Sequence, residues 1–409
     1  MIIFKISLRS VLRNKRRTLI TLLSIIIGIV SITVYSGFIT YSMWGLREST
    51  IRNGLGHLQI STDEKFFLLG SFDPYSFLIK DYKSVMRKIM SIPEVKTVVP
   101  EITFSATLAC RERSAIAMVK AFPSNISSDV LSFRNIIEGR DIIEDTAREI
   151  VLSRGVAEKL GVKVGDILTI MGVTKGGGLN AMDVEVVGIS SSGLREIDNM
   201  YAYMGLKAAK DFLFVQDVPL LVVLLEKTEY TDKVYNYLVN EMIPVSKEKL
   251  FVKKWNELAD YYNQAKGFYD TLLSVIRLIV ILIVIFAILN TMVMSVFERV
   301  REIGTMRAMG TKKSKILLMF MLEGTIIGLI GGVIGVLIGF GLCYVINMSG
   351  GIYIPPPPGM NEGYRALFSP PLRSIWENII LAFVVSIIGS IYPALRSTKF
   401  SIAEALRYI

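Results

Sequence analysis

The sequence predicts an α-helical membrane protein with four transmembrane helices and a two-lobed α+β extracytoplasmic domain inserted between the first two of them. Two observations predict this fold class. Mean hydropathy is +0.49 and 52% of the 409 residues are hydrophobic, which is too apolar for a soluble enzyme. Charged residues still make up 20% of the chain, and most of them lie between uncharged stretches long enough to cross a bilayer.

Four stretches with long uncharged runs define the predicted spans, at residues 18–46, 271–297, 316–346 and 378–395. Each run is close to or longer than the ~20 residues that cross the hydrocarbon core. The first run exceeds the apolar core of a signal peptide, so we interpret it as an uncleaved anchor. An even number of spans places both termini on the same side of the membrane.

The distribution of Lys and Arg predicts which side that is. Residues 1–17, 298–315 and 396–409 together carry 15 basic and 3 acidic residues, whereas the loop 347–377 has only two basic residues. Basic flanks stay inside, so both termini and the 298–315 loop are predicted to be cytoplasmic. The 28 basic and 30 acidic residues of 47–270 nearly cancel, so no nucleic-acid partner is predicted.

The segment before the first span has a pattern of its own. Lys5, Arg9 and Arg13 recur every four residues beside an apolar face. This spacing predicts a cytoplasmic amphipathic helix over 1–17 that lies in the headgroup layer, and an ordinary basic flank explains it equally well.

The external residues 47–270 read as a mixture of strands and helices. Alternating or apolar runs predict strands at 95–99, 115–119, 183–187 and 220–225, and helices are predicted at 81–91 and 231–241. We expect two lobes. One comprises 57–130 with 215–250, and the other is an insert lobe at about 140–212.

Apolar residues before the second span alternate steps of three and four, which is the pattern of a coiled-coil seam. They are Trp255, Leu258, Tyr262, Ala265 and Tyr269. The projecting end of the first span, through Tyr41, Trp44 and Ile51, is the expected partner, which predicts a two-helix stalk. Simple packing of these residues on the external domain is the alternative.

Glycines mark close helix packing in the third span. They recur every four residues, at Gly324, Gly328 and Gly332 and again at Gly335 and Gly339. Small residues at this spacing let two helix backbones approach each other within lipid. The run of four prolines at 355–358 predicts a stiff, extended link to the fourth span.

Motifs for catalysis are missing from the sequence. It has no phosphate loop, no nucleophile elbow and no Cys-x-x-Cys pair. Its one histidine, His57, fits a surface or core position better than a catalytic base, and Cys110 and Cys343 are expected to be apolar filler. We therefore predict a non-catalytic subunit with no metal site and no cofactor of its own.

The cytoplasmic loop after the second span holds the most informative cluster. Its charged residues enclose two apolar ones, and the cluster consists of Glu298, Arg299, Arg301, Glu302, Ile303, Met306 and Arg307. As a pattern, this segment fits either a short helix that docks into a groove of another protein or a solvated charged turn.

Several segments resemble one family of ABC transporter permeases, which includes the macrolide exporter MacB, the cell-division protein FtsX and the lipoprotein-releasing permeases LolC and LolE. The loop 298–310 resembles the family segment Glu-Arg-x-x-Glu-Ile-Gly-x-x-Arg-Ala-x-Gly, and 12–19, 322–324, 392–396 and 404–408 look similar too. The order of one span, external domain and three spans also agrees. Ser401-Ile402 departs from the usual Asp-Pro of the family.

The resemblance implies a mechanism called mechanotransmission. In it, a permease dimer, formed with a second copy or a paralogue, binds two copies of a separate cytoplasmic ABC ATPase that holds ATP and Mg. The 298–315 loop then acts as the coupling segment, and the seven residues of its charged cluster become the candidate ATPase-coupling residues. The implied location is the bacterial inner membrane, with 47–270 as a MacB-like periplasmic core domain.

A closer resemblance to one branch of the family implies which cargo is moved. The stretches 187–189, 196–201 and 206–209 look most like LolC and LolE, which implies release of lipoproteins from the outer leaflet to a periplasmic acceptor. Alternatives are efflux of an amphiphilic drug or toxin with an outer-membrane partner, and FtsX-like signalling to a cell-wall hydrolase. A candidate cleft for the cargo is formed by apolar residues at the outer ends of the first two spans, namely Tyr35, Phe38, Ile39, Met43, Phe268, Leu272 and Ile276. Side chains that simply face membrane lipids or the partner helix are the alternative at these positions.

Overall fold

The computed structural model describes residues 15–70, 72–126, 134–244, 249–356, 363–398 and the single residues Ser7, Asn361 and Ala405. Most of the predicted amphipathic helix at 1–17, the end of the proline run and most of the tail 396–409, including Ser401-Ile402, lie outside these residues. The chain divides into two compact units. We call residues 1–44, 265–353 and 365–409 the helical unit, and residues 45–264 and 354–364 the sheet unit.

Four helices of the described chain are long and apolar enough to span a membrane. They are α1 (Lys15–Thr50, extended by a π-helical segment Ile51–Leu55), α9 (Asp260–Glu298), α11 (Lys313–Met348) and α12 (Arg373–Ser397). Each of these helices extends beyond its predicted span. The spans were predicted from uncharged runs, which mark only the part of a helix that lies in the hydrocarbon core. With 41 and 39 residues, the first two helices exceed the ~20 residues that a bilayer needs.

The core of the helical unit is built from β-branched and aromatic side chains at helical spacing. Ile25 and Ile29 of α1 are fully or almost fully buried, as are Ile288 and Met292 of α9 and Phe320 of α11. A short helix α10 (Val300–Ala308) connects α9 to α11. A two-stranded sheet, β11 (Ile352–Ile354) with β12 (Tyr364–Ala366), precedes α12.

The sheet unit contains one mixed sheet in strand order β10-β1-β9-β2-β3-β8-β5-β7-β4, with β6 paired to β2 and β7. Its strands are β1 (Leu58–Ser61), β2 (Val95–Cys110), β3 (Arg113–Phe122), β4 (Asn135–Gly139), β5 (Glu149–Ser153), β6 (Ile167–Val173), β7 (Leu179–Ser191), β8 (Tyr201–Gly205), β9 (Leu220–Leu225) and β10 (Phe251–Lys254). Its helices are α2 (Phe66–Leu69), α3 (Tyr82–Met90), α4 (Arg154–Leu160), α5 (Arg195–Asp198), α6 (Leu206–Leu213), α7 (Thr231–Tyr237) and α8 (Trp255–Leu258).

The lobe boundary differs from the sequence prediction. The long strand β2 pairs with β9 over residues 95–101 and with β3 over 102–110, so it belongs to both halves of the sheet. Strand β3, which the sequence assigns to the first lobe, pairs in parallel with β8 of the insert. One continuous sheet therefore runs across the predicted boundary at residue 140. Local patterns cannot give this pairing because it is set by partners far away in the chain.

A segment between α11 and α12 also belongs to the sheet unit. Asn361 donates through Nδ2 to Asp198 Oδ2 at 2.6 Å, and its backbone N–H donates to the Gly193 carbonyl at 2.9 Å. Three parts of the chain therefore connect the two units. They are α1, α9 and the segment 354–364.

Candidate functional site

An ion pair anchors the short helix α10 at its start. Arg299 Nη1 lies 3.3 Å from Glu323 Oε2 of α11, and the two side chains are only 6% and 4% exposed. Arg299 Nε also donates to Glu302 Oε2 at 2.8 Å, and Ser295 Oγ donates to Glu323 Oε1 at 3.3 Å. Ile303 is completely buried on the same side of α10. These contacts fix the orientation of α10 on the helical unit.

The candidate coupling residues therefore divide into two groups. Arg299 and Ile303 face inward, and Glu298 is exposed but pairs with Arg17 of α1 at 3.0 Å. The exposed side of α10 presents Arg301 and Glu302, with Met306 and Arg307 half-buried at its edge. A surface for another protein is thus available at the exposed side, and Arg299 does not reach it.

Sequence reasoning missed two residues here. Met309, directly after α10, is 73% exposed and extends the outward-facing surface with an apolar side chain. Glu323 was noted only as part of a family motif, and its role as the partner of Arg299 was not predicted. The available signal was its position, because an ionisable residue at the edge of an apolar span usually pairs with another group.

The two glycine rows of α11 face two different helices. A Cβ added at Gly328 or Gly332 would meet Ser386 or Ala382 of α12, and one added at Gly335 or Gly339 would lie 2.8 Å from Ile29 or Thr33 of α1. Gly324 lies in the first row, where an added Cβ would overlap Ser390. Because these positions of α11 are glycines, its backbone can lie close to both neighbouring helices.

The outer part of α1 is covered by its own chain. The Phe38 ring lies 5.9 Å from the Phe368 ring and 6.4 Å from that of Tyr35, and Ile39 is buried. Gly37 accepts a hydrogen bond from the Ser369 backbone N–H at 3.0 Å. These candidate cleft residues thus pack within the protomer, and Met43 is half-buried.

Candidate cleft residues on α9 are more accessible. The Phe268 side chain is 62% exposed and lies 5.8 Å, ring to ring, from Tyr269. Leu272 and Ile276 are partly exposed on the same helix. Of the seven candidates, Phe268 offers the largest free apolar surface.

The predicted stalk seam is interrupted. Ala259, with φ −94° and ψ 67°, separates α8 from α9, so Trp255 and Leu258 are not on the helix that carries Ala265 and Tyr269. Trp255 packs with Ile51, one of the predicted partners on the first helix, and also with Ala259 and with Leu224 of strand β9. This end of the seam therefore contacts both the first helix and the sheet. The Trp255 and Tyr262 rings meet edge to face at 5.0 Å.

His57 is a buried core histidine next to this cluster. It is 1% exposed, its Nδ1 accepts from the Leu225 backbone N–H at 3.1 Å, and its Nε2 lies 3.1 Å from Thr228 Oγ1. Thr228 Oγ1 in turn donates to Glu48 Oε1 at 3.2 Å. Because Nδ1 accepts, the ring is neutral and carries its proton on Nε2. Burial lowers the pKa of His57 to about 4, although Glu48 opposes this shift.

Stability of the sheet unit is expected to fall between pH 6.5 and 4 because of His57. In the unfolded chain the imidazole binds a proton at its ordinary pKa of 6.5, whereas the folded state resists protonation down to about 4. The stabilisation is complete above pH 6.5, and about 3 kcal/mol is lost by pH 4. Thermal unfolding of the wild type and of His57→Gln between pH 7.5 and 4 measures this, and an equal pH dependence in both would contradict it.

The two cysteines, Cys110 and Cys343, are both buried and free. Within the described residues, no group of three or more His, Cys, Asp or Glu side chains is placed to hold a metal ion.

Comparison with known proteins agrees with this architecture. The profile of the MacB-like periplasmic core domain matches residues 18–240, and that of the FtsX-like permease C-terminal region matches residues 274–402. The ABC transporter permease YknZ of Bacillus subtilis is 23% identical over 99% of this chain and 98% of its own length. The lipoprotein-releasing system protein LolE of Haemophilus influenzae is 24% identical over 80% of this chain and 81% of its own.

The macrolide export ATP-binding/permease protein MacB of Acinetobacter baylyi is 23% identical over 84% of this chain. The chain spans about half the length of that protein, 52%. Together the two profiles match most of the first membrane helix, the external domain as far as residue 240 and the last three membrane helices from residue 274 onward. The chain belongs to the family of ABC transporter permeases that contains MacB, FtsX and LolC/LolE.

Proposed function

We propose that this permease works by mechanotransmission, in which a separate cytoplasmic ATPase hydrolyses ATP and moves the external domain through the membrane helices. The observation that carries the proposal is the geometry of α10. Its inner side is fixed by the Arg299–Glu323 pair and by Ile303, and its outer side leaves Arg301 and Met309 exposed. Because α10 is packed against the helical unit on one side and exposed on the other, a partner bound to the exposed side can move the helical unit.

The proposed topology places both termini and α10 in the cytoplasm and the sheet unit outside the inner membrane. The excess of Lys and Arg in 1–17, 298–315 and 396–409 supports this orientation. Helices α1 and α9 have residue ranges that include parts of both units. Motion imposed on the helical unit is therefore passed to the sheet unit through helices and not only through a flexible linker.

We infer lipoproteins as the cargo, released from the outer leaflet of the inner membrane. The sequence stretches that resemble LolC and LolE support this choice, as does the similarity to LolE along most of the chain. Extraction of acyl chains costs about 0.8 kcal/mol per CH2 and needs an apolar receiving surface. The exposed Phe268 on α9 can contribute to such a surface.

Efflux of an amphiphile is the second candidate. The similarity to MacB, at the same level of identity, favours it. The two candidates share the helical unit, the partner ATPase and the role of α10, and they differ only in what the external domain receives.

The double variant Arg301→Glu/Met309→Glu is expected to lose most of its bound ATPase, by about tenfold, because it places negative charge on the exposed side of α10. Copurification of the ATPase with a tagged permease extracted from its own membrane measures the loss. Arg195→Glu/Leu179→Glu is the matched control, since it makes the same chemical change at exposed positions of the sheet unit. Equal ATPase recovery from both variants would contradict the coupling role of α10.

Native mass spectrometry of the wild-type complex from the same preparation identifies the cargo. A bound acylated protein together with two permease and two ATPase copies supports lipoprotein release. A bound small amphiphile supports efflux and overturns our choice of cargo, while the mechanism stands. A permease with no ATPase would overturn the mechanism.

A further inference from the structure

Asp198 is a buried carboxylate that receives hydrogen bonds from two separate parts of the chain. It is 1% exposed and lies at the end of α5. Ser191 Oγ donates to its Oδ2 at 2.8 Å, and Ser192 donates to its Oδ1 through the backbone N–H at 2.7 Å and through Oγ at 2.8 Å. The fourth donor is Asn361 Nδ2, which lies 2.6 Å from Oδ2. These donors replace the water that burial removes from the carboxylate.

The first three of these hydrogen bonds shape a turn. Ser191 is the last residue of β7 and Ser192 follows it, so their bonds to Asp198 close the connection between β7 and β8. Asn361 is different, because it comes from the segment between α11 and α12, 163 positions away in the chain. Its backbone N–H also donates to the Gly193 carbonyl oxygen at 2.9 Å. Two hydrogen bonds thus fasten this segment to the turn that joins two strands of the insert lobe.

The same segment is fastened to the helical unit seven positions later, at Phe368. Asn347, in the last turn of α11, donates through Nδ2 to the Phe368 carbonyl oxygen at 2.9 Å, and its Oδ1 accepts from the Phe368 backbone N–H at 2.8 Å. The next backbone N–H, that of Ser369, donates to the Gly37 carbonyl oxygen of α1 at 3.0 Å. We call Asn361 with residues 363–368 the tether, since a side-chain amide holds it at each end.

The tether leaves little chain that can lengthen. Seven residues span at most about 25 Å when they are fully extended. Strand β12 (Tyr364–Ala366), which pairs with β11, is already extended and accounts for three residues of the tether. A displacement of Phe368 is therefore passed on to Asn361 and is not absorbed by a slack loop.

We propose that the tether carries motion of α11 to the insert lobe, with Asn361 and Asp198 as the positioning residues that receive it. The Arg299–Glu323 pair fixes the start of α10 to α11, and α11 is one continuous helix of 36 residues that ends next to Asn347. A push on α10 therefore reaches the tether through α11. The inference rests on the proposed function and adds a route to α1 and α9, which lead into β1 and out of β10.

The test measures two distances by double electron-electron resonance in the permease copurified with its ATPase, with and without ATP and vanadate. The insert distance joins spin labels at Ile167→Cys, which is 67% exposed on β6, and at Lys266→Cys, which is exposed on α9. The reference distance joins Lys83→Cys on α3 to Gly341→Cys on α11. The background lacks the two native cysteines. If α9 alone moved the insert lobe, both would move together, so a change in the insert distance reports the tether.

Asn361→Asp opens the tether at Asp198, because it places a second carboxylate where the amide donates. We expect it to lose at least about half of the change in the insert distance and to keep the change in the reference distance, since α1 and α9 still connect the units. Asp198→Asn/Asn361→Asp exchanges the two groups. The amide then donates to the carboxylate and its oxygen still accepts from Ser192, so we expect the lost change to return. Misfolding cannot produce such a rescue.

An insertion separates the length of the tether from its hydrogen bonds. Gly-Ser-Gly-Ser after Gly363 leaves the hydrogen bonds at both ends intact and adds about 14 Å of slack. We expect it to lose the change in the insert distance as Asn361→Asp does. The same insertion after Gly177, in the exposed turn between β6 and β7, is the matched control and is expected to behave as the wild type.

The two distances distinguish failure of the tether from failure of the proposed function. If ATP changes neither distance in the wild type, the proposed function falls and the tether with it. If the reference distance changes but the insert distance does not, or if Asn361→Asp and the Gly363 insertion respond as the wild type does, the tether does not carry the motion and the proposed function stands. Loss of the change in Asn361→Asp without recovery in the exchange variant also overturns the pairing with Asp198.

Discussion

Replacement of Glu323 by alanine is expected to destabilise the helical unit by about 3 kcal/mol. The change leaves the Arg299 guanidinium buried, with a side chain only 6% exposed, and removes its most buried counter-charge. Glu302 still accepts from Arg299 Nε at 2.8 Å, but its own side chain is 45% exposed, so it compensates only in part. The Phe320 ring, 5.6 Å from the guanidinium, offers no charge.

The double variant Arg299→Met/Glu323→Leu distinguishes pairing from packing. It removes both charges and keeps apolar volume, so we expect it to cost much less than Glu323→Ala, within about 1 kcal/mol of the wild type. Denaturant unfolding of the purified permease, followed by near-UV circular dichroism, measures all three proteins. If the double variant is at least as unstable as Glu323→Ala, the two residues do not act as a pair.

The same variants report on transmission. Glu323 pairs with Arg299 immediately before α10, so its loss frees the start of this helix from α11. We expect Glu323→Ala to retain ATPase binding through the exposed side of α10 while transport per ATP falls. Loss of ATPase binding instead would assign Glu323 to the docking surface, contrary to its 4% exposure.

Much of the fold follows from local sequence patterns. The uncharged runs locate all four membrane helices, and the apolar runs at 95–99, 115–119, 183–187 and 220–225 all fall inside strands of the sheet. These features are predictable because each depends on the periodicity and hydropathy of one continuous segment. The close packing at Gly328 is likewise predicted by the four-residue spacing of the glycines alone.

Features that depend on distant partners were not predictable. The sequence counts Arg299 among the docking charges, but Glu323, 24 residues later, turns it inward. The break at Ala259 likewise arises where Trp255 packs on Leu224 of the sheet, which no helical pattern reveals. A cavity of the sheet unit is lined by residues from four separate segments between positions 50 and 262, and no single segment of the sequence predicts it.

Gly328→Ala is expected to destabilise the helical unit by about 1 to 3 kcal/mol, and Gly328→Leu by more. The added Cβ overlaps Ser386 of α12 and lies 3.1 Å from the Ala382 carbonyl oxygen. Rotation of the Ser386 side chain can move its Oγ, but its Cβ and the Ala382 carbonyl move only if the helix moves. The two helices must therefore separate, and within lipid close backbone packing is what holds them together.

Gly341 provides the matched control on the same helix. A Cβ added there meets nothing within 4 Å, so Gly341→Ala and Gly341→Leu are expected to unfold at the same denaturant concentration as the wild type. Destabilisation of both positions to the same extent would attribute the cost to helix flexibility and not to contact with α12.

A compensating change tests the contact itself. Ser386→Gly removes the Cβ and Oγ that an alanine at 328 would overlap, so Gly328→Ala/Ser386→Gly is expected to recover most of the lost stability. Recovery remains incomplete because the Ala382 carbonyl stays 3.1 Å from the new methyl group. If Ser386→Gly adds its own cost without any rescue, α11 and α12 are not held by this contact. Rescue would show that a single methyl group sets the distance between these two membrane helices, through which the proposed motion passes.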